Sequence, residues 1–268
     1  MLGFAETFGA TLGAFLIPTF FGLLIVSAAA RYVNPRYLAA FAVGLFLWFF
    51  SDTIGDASLL GVSEGFTGGL WHAMLWLLFA IGVLAFLSFD SSIFTEGRSG
   101  ERLGFAIPVL VAIALGIHGF GEGAAVGATA ATTPSSNILD AFGGLSAGAA
   151  FILHKGLEPM MVGATYWVYA RDHAMDSKGR LKDILVLTLA FTLPGIIGGA
   201  SSYFLVQAYP SVDFSYVFAL GLGAAVYAAL RLARPLFLGD GSSSESIKTA
   251  LVIILGFTCL YLAASLHS

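Results

Sequence analysis

The sequence predicts an all-α, polytopic membrane bundle of eight transmembrane helices, with residues 1–268 forming a single transmembrane domain. Three observations predict it. Hydrophobic residues make up 58% of the chain and charged ones 10%, whereas a soluble domain is about 25% charged. Apolar runs of about 20 residues, the length needed to cross a hydrocarbon core of about 30 Å, recur along the whole chain. Lys and Arg gather in every second connection between those runs. With 12 basic and 16 acidic side chains, the chain cannot cover a globule of this size with polar surface. A soluble enzyme and a disordered chain are excluded. So is a nucleic-acid binder, because the net charge is -4 and no basic patch exists to neutralise phosphates.

The eight runs lie at roughly 8–30, 37–60, 70–89, 104–130, 138–170, 184–209, 213–235 and 248–267. The fifth is long enough to project from the membrane. The first connection holds Arg31 and Arg36, and the third holds Arg98 and Arg102. The fifth holds Arg171, Lys178, Arg180 and Lys182; Arg231, Arg234 and Lys248 lie in or beside the seventh. The opposite side (the N-terminus, 61–69, 131–137, 210–212 and the tail) has no basic residue. The positive-inside rule therefore makes the basic side cytoplasmic and puts both termini outside. The expected setting is an integral protein of the plasma membrane. Segments 89–103 and 239–246 are the most polar and read as loops. The first basic residue is Arg31, so the start of the chain does not read as a cleavable leader. Glycine, 33 residues in all, suits close contact between membrane helices. The aromatic residues, 14% of the chain, read as lipid-facing or interfacial surface. The lone Cys259 lies in an apolar run and excludes an intramolecular disulfide.

Lys155 is the basic residue outside this pattern, in the middle of span 5. At depth with it lie Asp52, Asp56, His72, His118, Glu122, His154 and Glu158. An ionised group at the bilayer centre costs about 2.5–3.5 kcal/mol on insertion scales, so such groups point to pairing, metal binding or function. His118 and Glu122 are i and i+4 on span 4, and His154 and Glu158 are i and i+4 on span 5. That spacing puts each pair on one helix face. A short connection makes spans 4 and 5 expected antiparallel neighbours. Two facing pairs then offer two imidazoles and two carboxylates to one point, a set suited to Zn²⁺, Fe²⁺ or Mn²⁺. Structural His–Glu hydrogen bonds between the helices are the plainer alternative. Gly119, Gly121, Gly123 and Gly156 flank these motifs, and Pro159 follows Glu158. They loosen the helices, although Gly123-x-x-x-Gly127 also suits packing alone. Asp52 and Asp56 share one face near the outer end of span 2, where they either attract incoming cations or are simply solvated at a helix end. His72 reads as a packing or interfacial residue, and His173 and His267 read as solvated.

The segment HGFGEGAAVGA, with His118 and Glu122, resembles the HNFPEG-type motif of the ZIP (Zrt/Irt-like) divalent metal transporters. LHKGLEP, with His154 and Glu158, resembles their second motif. LAAFAVGLFLWFFSDTIGDAS on span 2 and LGFTCLYLAASLHS at the end resemble the family's second and last helices. Eight spans with both termini outside is the ZIP topology. The resemblance implies a carrier of a divalent cation, zinc first and iron or manganese as alternatives, and no enzyme. It implies ligands His118, Glu122, His154 and Glu158, with Asp52, Asp56 and Lys155 on the pathway or behind the ligands. A homodimer is the expected assembly.

The departures are specific. Gly119 and Gly121 replace the family's usual Asn and Pro. Lys155 stands where many members have an acidic or amide residue that helps hold a second metal. The acid expected near Leu193 and Pro194 is absent, Arg231 and Leu232 occupy a place where an acid is common, and the His-rich loop between spans 3 and 4 is missing. One metal position is thus expected intact, with Lys155 replacing the second ion. These departures also motivate a non-transporting relative that serves as a subunit or metal sensor. A retinal protein with Lys155 as its Schiff-base lysine is a third reading. Intramembrane hydrolysis lacks an HExxH motif.

Overall fold

The computed structural model describes residues 2–57, 69–89, 105–134, 137–172, 176–208, 215–237 and 243–265. Among them there is no strand. The helices are α1 (Phe4–Ala29), α2 (Pro35–Ala57), α3 (Gly69–Phe89), α4 (Ala106–Thr132), α5 (Leu145–Leu157), α6 (Pro159–Asp172), α7 (Ser177–Ala208), α8 (Ser215–Phe237) and α9 (Ser243–Ser265). Phe4–Ala29, Pro108–Thr132, Ser177–Val206 and Ser244–Ala263 are long and apolar enough to cross a membrane. The protein is an integral membrane protein. Its surface is arranged for lipid: Ile17, Phe21 and Ile25 on α1, Trp76 on α3, and Ile254 on α9 are all more than half exposed. The interior holds threonines, small residues, Lys155 and Glu158.

Several boundaries differ from the sequence expectation, among them the start of α7 at Ser177 where the apolar run begins near 184. The fifth run is not one helix from 138. Residues Ile138–Phe142 form a 3-10 turn, capped where the Asn137 side chain accepts from the Leu139 N–H. Gly143 and Gly144 follow with φ of 82° and 101°, a left-handed reversal open to glycine, and α5 starts only at Leu145. Proline then divides the remainder. Pro159 has no N–H to give the Lys155 carbonyl, so α5 ends beside Glu158 and α6 begins. At the other end of the chain, α9 begins at Ser243, inside the expected polar loop.

Glycine lets backbones touch along the main seams. A side chain at Gly123 or Gly127 of α4 would collide with the Gly195 and Gly199 backbone of α7. Gly44 of α2 and Gly256 of α9 meet each other's helix in the same way. In lipid, such contact replaces the hydrophobic drive for helix association.

These seams also fix relative directions. Gly123 and Gly127 matching Gly195 and Gly199 makes α4 and α7 parallel. Phe15 meets Gly195, Thr11 meets Gly199 and Leu2 meets Tyr203, so α1 and α7 are antiparallel. Gly22 meets Gly156 and Pro159, and Val26 meets Gly163, so α1 runs parallel to α5 and α6. Arg36 bonds Thr249, and Trp48 stacks on Phe257 and Tyr261, so α2 and α9 run the same way.

Candidate cation site

The α4–α7 seam fixes the rotation of α4. With Gly123 and Gly127 buried against α7, His118 and Glu122 project from another face. Along that side α4 packs on α6, below the proline break, and on α8. Above the break α5 leans on α1 and the 3-10 turn. The two helices carrying the motifs therefore meet mainly through side chains at the depth of Glu158, not along their lengths. The expected packing of span 5 on span 4 is therefore carried by α6 and the 3-10 turn, the parts of that run on either side of α5.

His118, Glu122 and Glu158 place one ligand atom each within 4.8 Å of one another. Within α4, His118 Nε2 lies 3.8 Å from Glu122 Oε1. Within the second motif, His154 Nε2 lies 3.0 Å from Glu158 Oε1. His154 thus touches the cluster through Glu158 and is not among its three converging residues. Phe49 of α2 packs edge-on to the His118 ring at 4.5 Å. Glu158 is completely buried; the side chains of Glu122 and His154 keep 17% and 12% exposure, so the site opens on their side.

Lys155 is fully buried, and its ammonium bridges the two carboxylates. Nζ lies 2.5 Å from Glu158 Oε2 and also pairs with Glu122 Oε2. Such charge-assisted bonds satisfy groups that hydrocarbon would leave bare. Three rings surround the ammonium, with centroids at 5.5 Å (Phe15), 5.9 Å (Phe151) and 5.8 Å (Phe191). Phe151 stacks in turn on Phe142 of the 3-10 turn, so aromatic surface extends from the lysine toward that end of the bundle. Ring faces favour a cation.

These aromatics were missed from the sequence, where they read as lipid-facing. Phe15, Phe151 and Phe191 are instead at most 6% exposed. Nothing in the apolar runs distinguishes them from the rest of the 24 phenylalanines. Asp52 and Asp56 lie within α2, but their side chains, like those of His72 and Arg231, are outside the described residues, as are Arg98, Arg102, His173 and His267.

Chemically the arrangement supplies two carboxylates, an imidazole from α4, a second imidazole behind Glu158 and a tethered cation. Compared with protein-family models and with curated proteins, the sequence gives no match.

Proposed function

We propose that the protein is a ZIP-like carrier that moves a divalent metal cation toward the cytoplasm. It would do so through the site of His118, Glu122, His154 and Glu158, with Lys155 in place of a second ion. The observation that carries this is the convergence of His118, Glu122 and Glu158, within 4.8 Å and largely buried, inside a bundle whose outer surface is apolar. Buried ionisable groups in a membrane are costly and mark ion pathways. Zinc is the first candidate cargo, with iron and manganese as alternatives, since nitrogen and carboxylate donors suit all three.

Eight crossings with both termini outside the cytoplasm, in the plasma membrane, complete the proposal. The relative helix directions support the count. Spans 1 and 5 run parallel, as do 4 and 6 and also 2 and 8, whereas 1 and 6 run antiparallel, as strict alternation requires. Proline also lies inside α1 at Pro18 and inside α7 at Pro194, and Pro159 separates α5 from α6. All three prolines flank the site: Pro18 and Pro159 lie along the α1 contact with Gly156, and Phe15 beside Gly195 adjoins Pro194. A helix divided beside the site, with prolines in the helices around it, suits alternating access, in which one part of the bundle rocks against another. The protein acts on no covalent bond in this proposal, and a homodimer is its proposed assembly.

A second reading has its own observation. Lys155 already bonds both carboxylates, as it would in a non-transporting relative that serves as a membrane-complex subunit or a metal sensor. Proteoliposomes with an internal metal indicator separate the two. Zinc entry that is lost in Glu158→Gln supports the carrier; binding without flux supports the sensor. A colourless purified protein disposes of a retinal Schiff base at Lys155.

A further inference from the structure

We infer that α1 contributes a ligand to the same site: the Thr19 hydroxyl, which reaches the bound cation directly or through one water. Buried threonines elsewhere in this bundle satisfy their hydroxyls in one way. Thr7, Thr11, Thr165, Thr188, Thr192 and Thr249 each donate to a backbone carbonyl three or four residues earlier in the chain. Thr19 is 0% exposed, and its Oγ1 has no hydrogen-bond partner. A buried hydroxyl in that condition is unfavourable unless something else occupies its lone pairs.

Its position indicates what that is. Residues 15, 19 and 22 lie along one face of α1. Phe15 touches the cage of Lys155, and Gly22 touches Gly156 and Pro159. Thr19 lies between them along α1, which runs parallel to the segment that carries Lys155 and Glu158. Neither motif helix carries a neutral oxygen donor at this depth among the ligands named above. Thr19 would add one, giving His118, Glu122 and Glu158 a fourth donor without changing the net charge of the site. Water is a good intermediary here because a site that is polar and not fully closed can hold one.

The inference depends on the carrier proposal, since it needs a cation at that site. The test uses the full chain purified in detergent, with Co²⁺ as an optical probe and Mn²⁺ as competitor. Thr19→Val removes the hydroxyl at constant volume, and Thr19→Ser keeps it. Affinity in Thr19→Val should fall roughly 10- to 100-fold, the usual effect of losing a supporting group at a metal site. The Co²⁺ spectrum should change, and Thr19→Ser should restore both. In chelator, Thr19→Val should unfold no earlier than wild type, because it loses a hydroxyl that made no bond. Wild-type affinity and spectrum in Thr19→Val would overturn the inference and leave the site intact. So would a loss of metal-free stability that accounts for the weaker binding. A wild type that binds no Co²⁺ would instead overturn the site itself.

Discussion

Replacing Lys155 by methionine removes the cation between Glu122 and Glu158 and leaves a side chain of comparable length in a fully buried position. With both imidazoles neutral, the two carboxylates and the ammonium sum to -1, and the variant site to -2. Removing one partner of a buried ion pair costs about 3–5 kcal/mol, because the remaining charge has neither water nor partner. Glu158 has no exposure and bears that cost, softened by His154 at 3.0 Å. The Glu122 side chain, 17% exposed, is partly hydrated and adds less. The metal-free variant should therefore be about 3–5 kcal/mol less stable than wild type, the effect of one full loss and not two. A divalent cation reverses the balance: it brings the variant site to zero and the wild-type site, with the ammonium retained, to +1. Zn²⁺ or Mn²⁺ should thus stabilise Lys155→Met more than wild type; the variant should gain about 2.7 kcal/mol over its own metal-free form once free metal reaches 100 times its Kd. Denaturation of the detergent-purified protein, followed by circular dichroism with chelator and with metal, measures both effects. If metal-free Lys155→Met unfolds together with wild type, the ammonium is not neutralising the pair and the charge argument fails. If it is destabilised but metal helps it no more than wild type, the carboxylates do not form a cation site.

The two histidines should separate. His118→Ala should abolish cation binding in a calorimetric titration, whereas His154→Ala, which acts through Glu158, should weaken it about 10- to 100-fold; equal losses would make both direct ligands. Binding should also weaken between about pH 7 and 5, where histidines take up protons and lose the lone pair a metal needs; an affinity flat across that interval would remove imidazole from the site. In a Cys259→Ser background, cysteines placed at Thr133 and Ser244 should react with impermeant reagents from opposite faces, with 133 outside; labelling from one face would mean a miscounted span. Gly123→Leu, whose side chain would enter the Gly195 backbone, should unfold at least about 1–3 kcal/mol more easily than wild type, and an unchanged melting curve would refute the α4–α7 seam.

The sequence by itself determined the class of molecule and the cast of the site. Scarce charge and long apolar runs leave no alternative to membrane helices, because backbone groups in hydrocarbon must pair within their own segment. The i, i+4 spacing of His118 with Glu122 and of His154 with Glu158 follows from helix geometry alone. Tertiary structure decided what these residues touch. Pro159 marks a break in the sequence, but only packing shows that α6, not α5, lies along α4. Lys155 was legible as an odd charge. Its placement between both carboxylates depends on the rotation of α4, which the glycines of α7 set from some 70 positions away in the chain. The phenylalanine cage and Thr19 carry no local signal, since a residue in an apolar run looks the same whether its face meets lipid or another helix. That choice is made by the neighbours, because lipid and apolar side chains are nearly equivalent surroundings, and only close backbone contact and the need to enclose buried charge distinguish inside from outside.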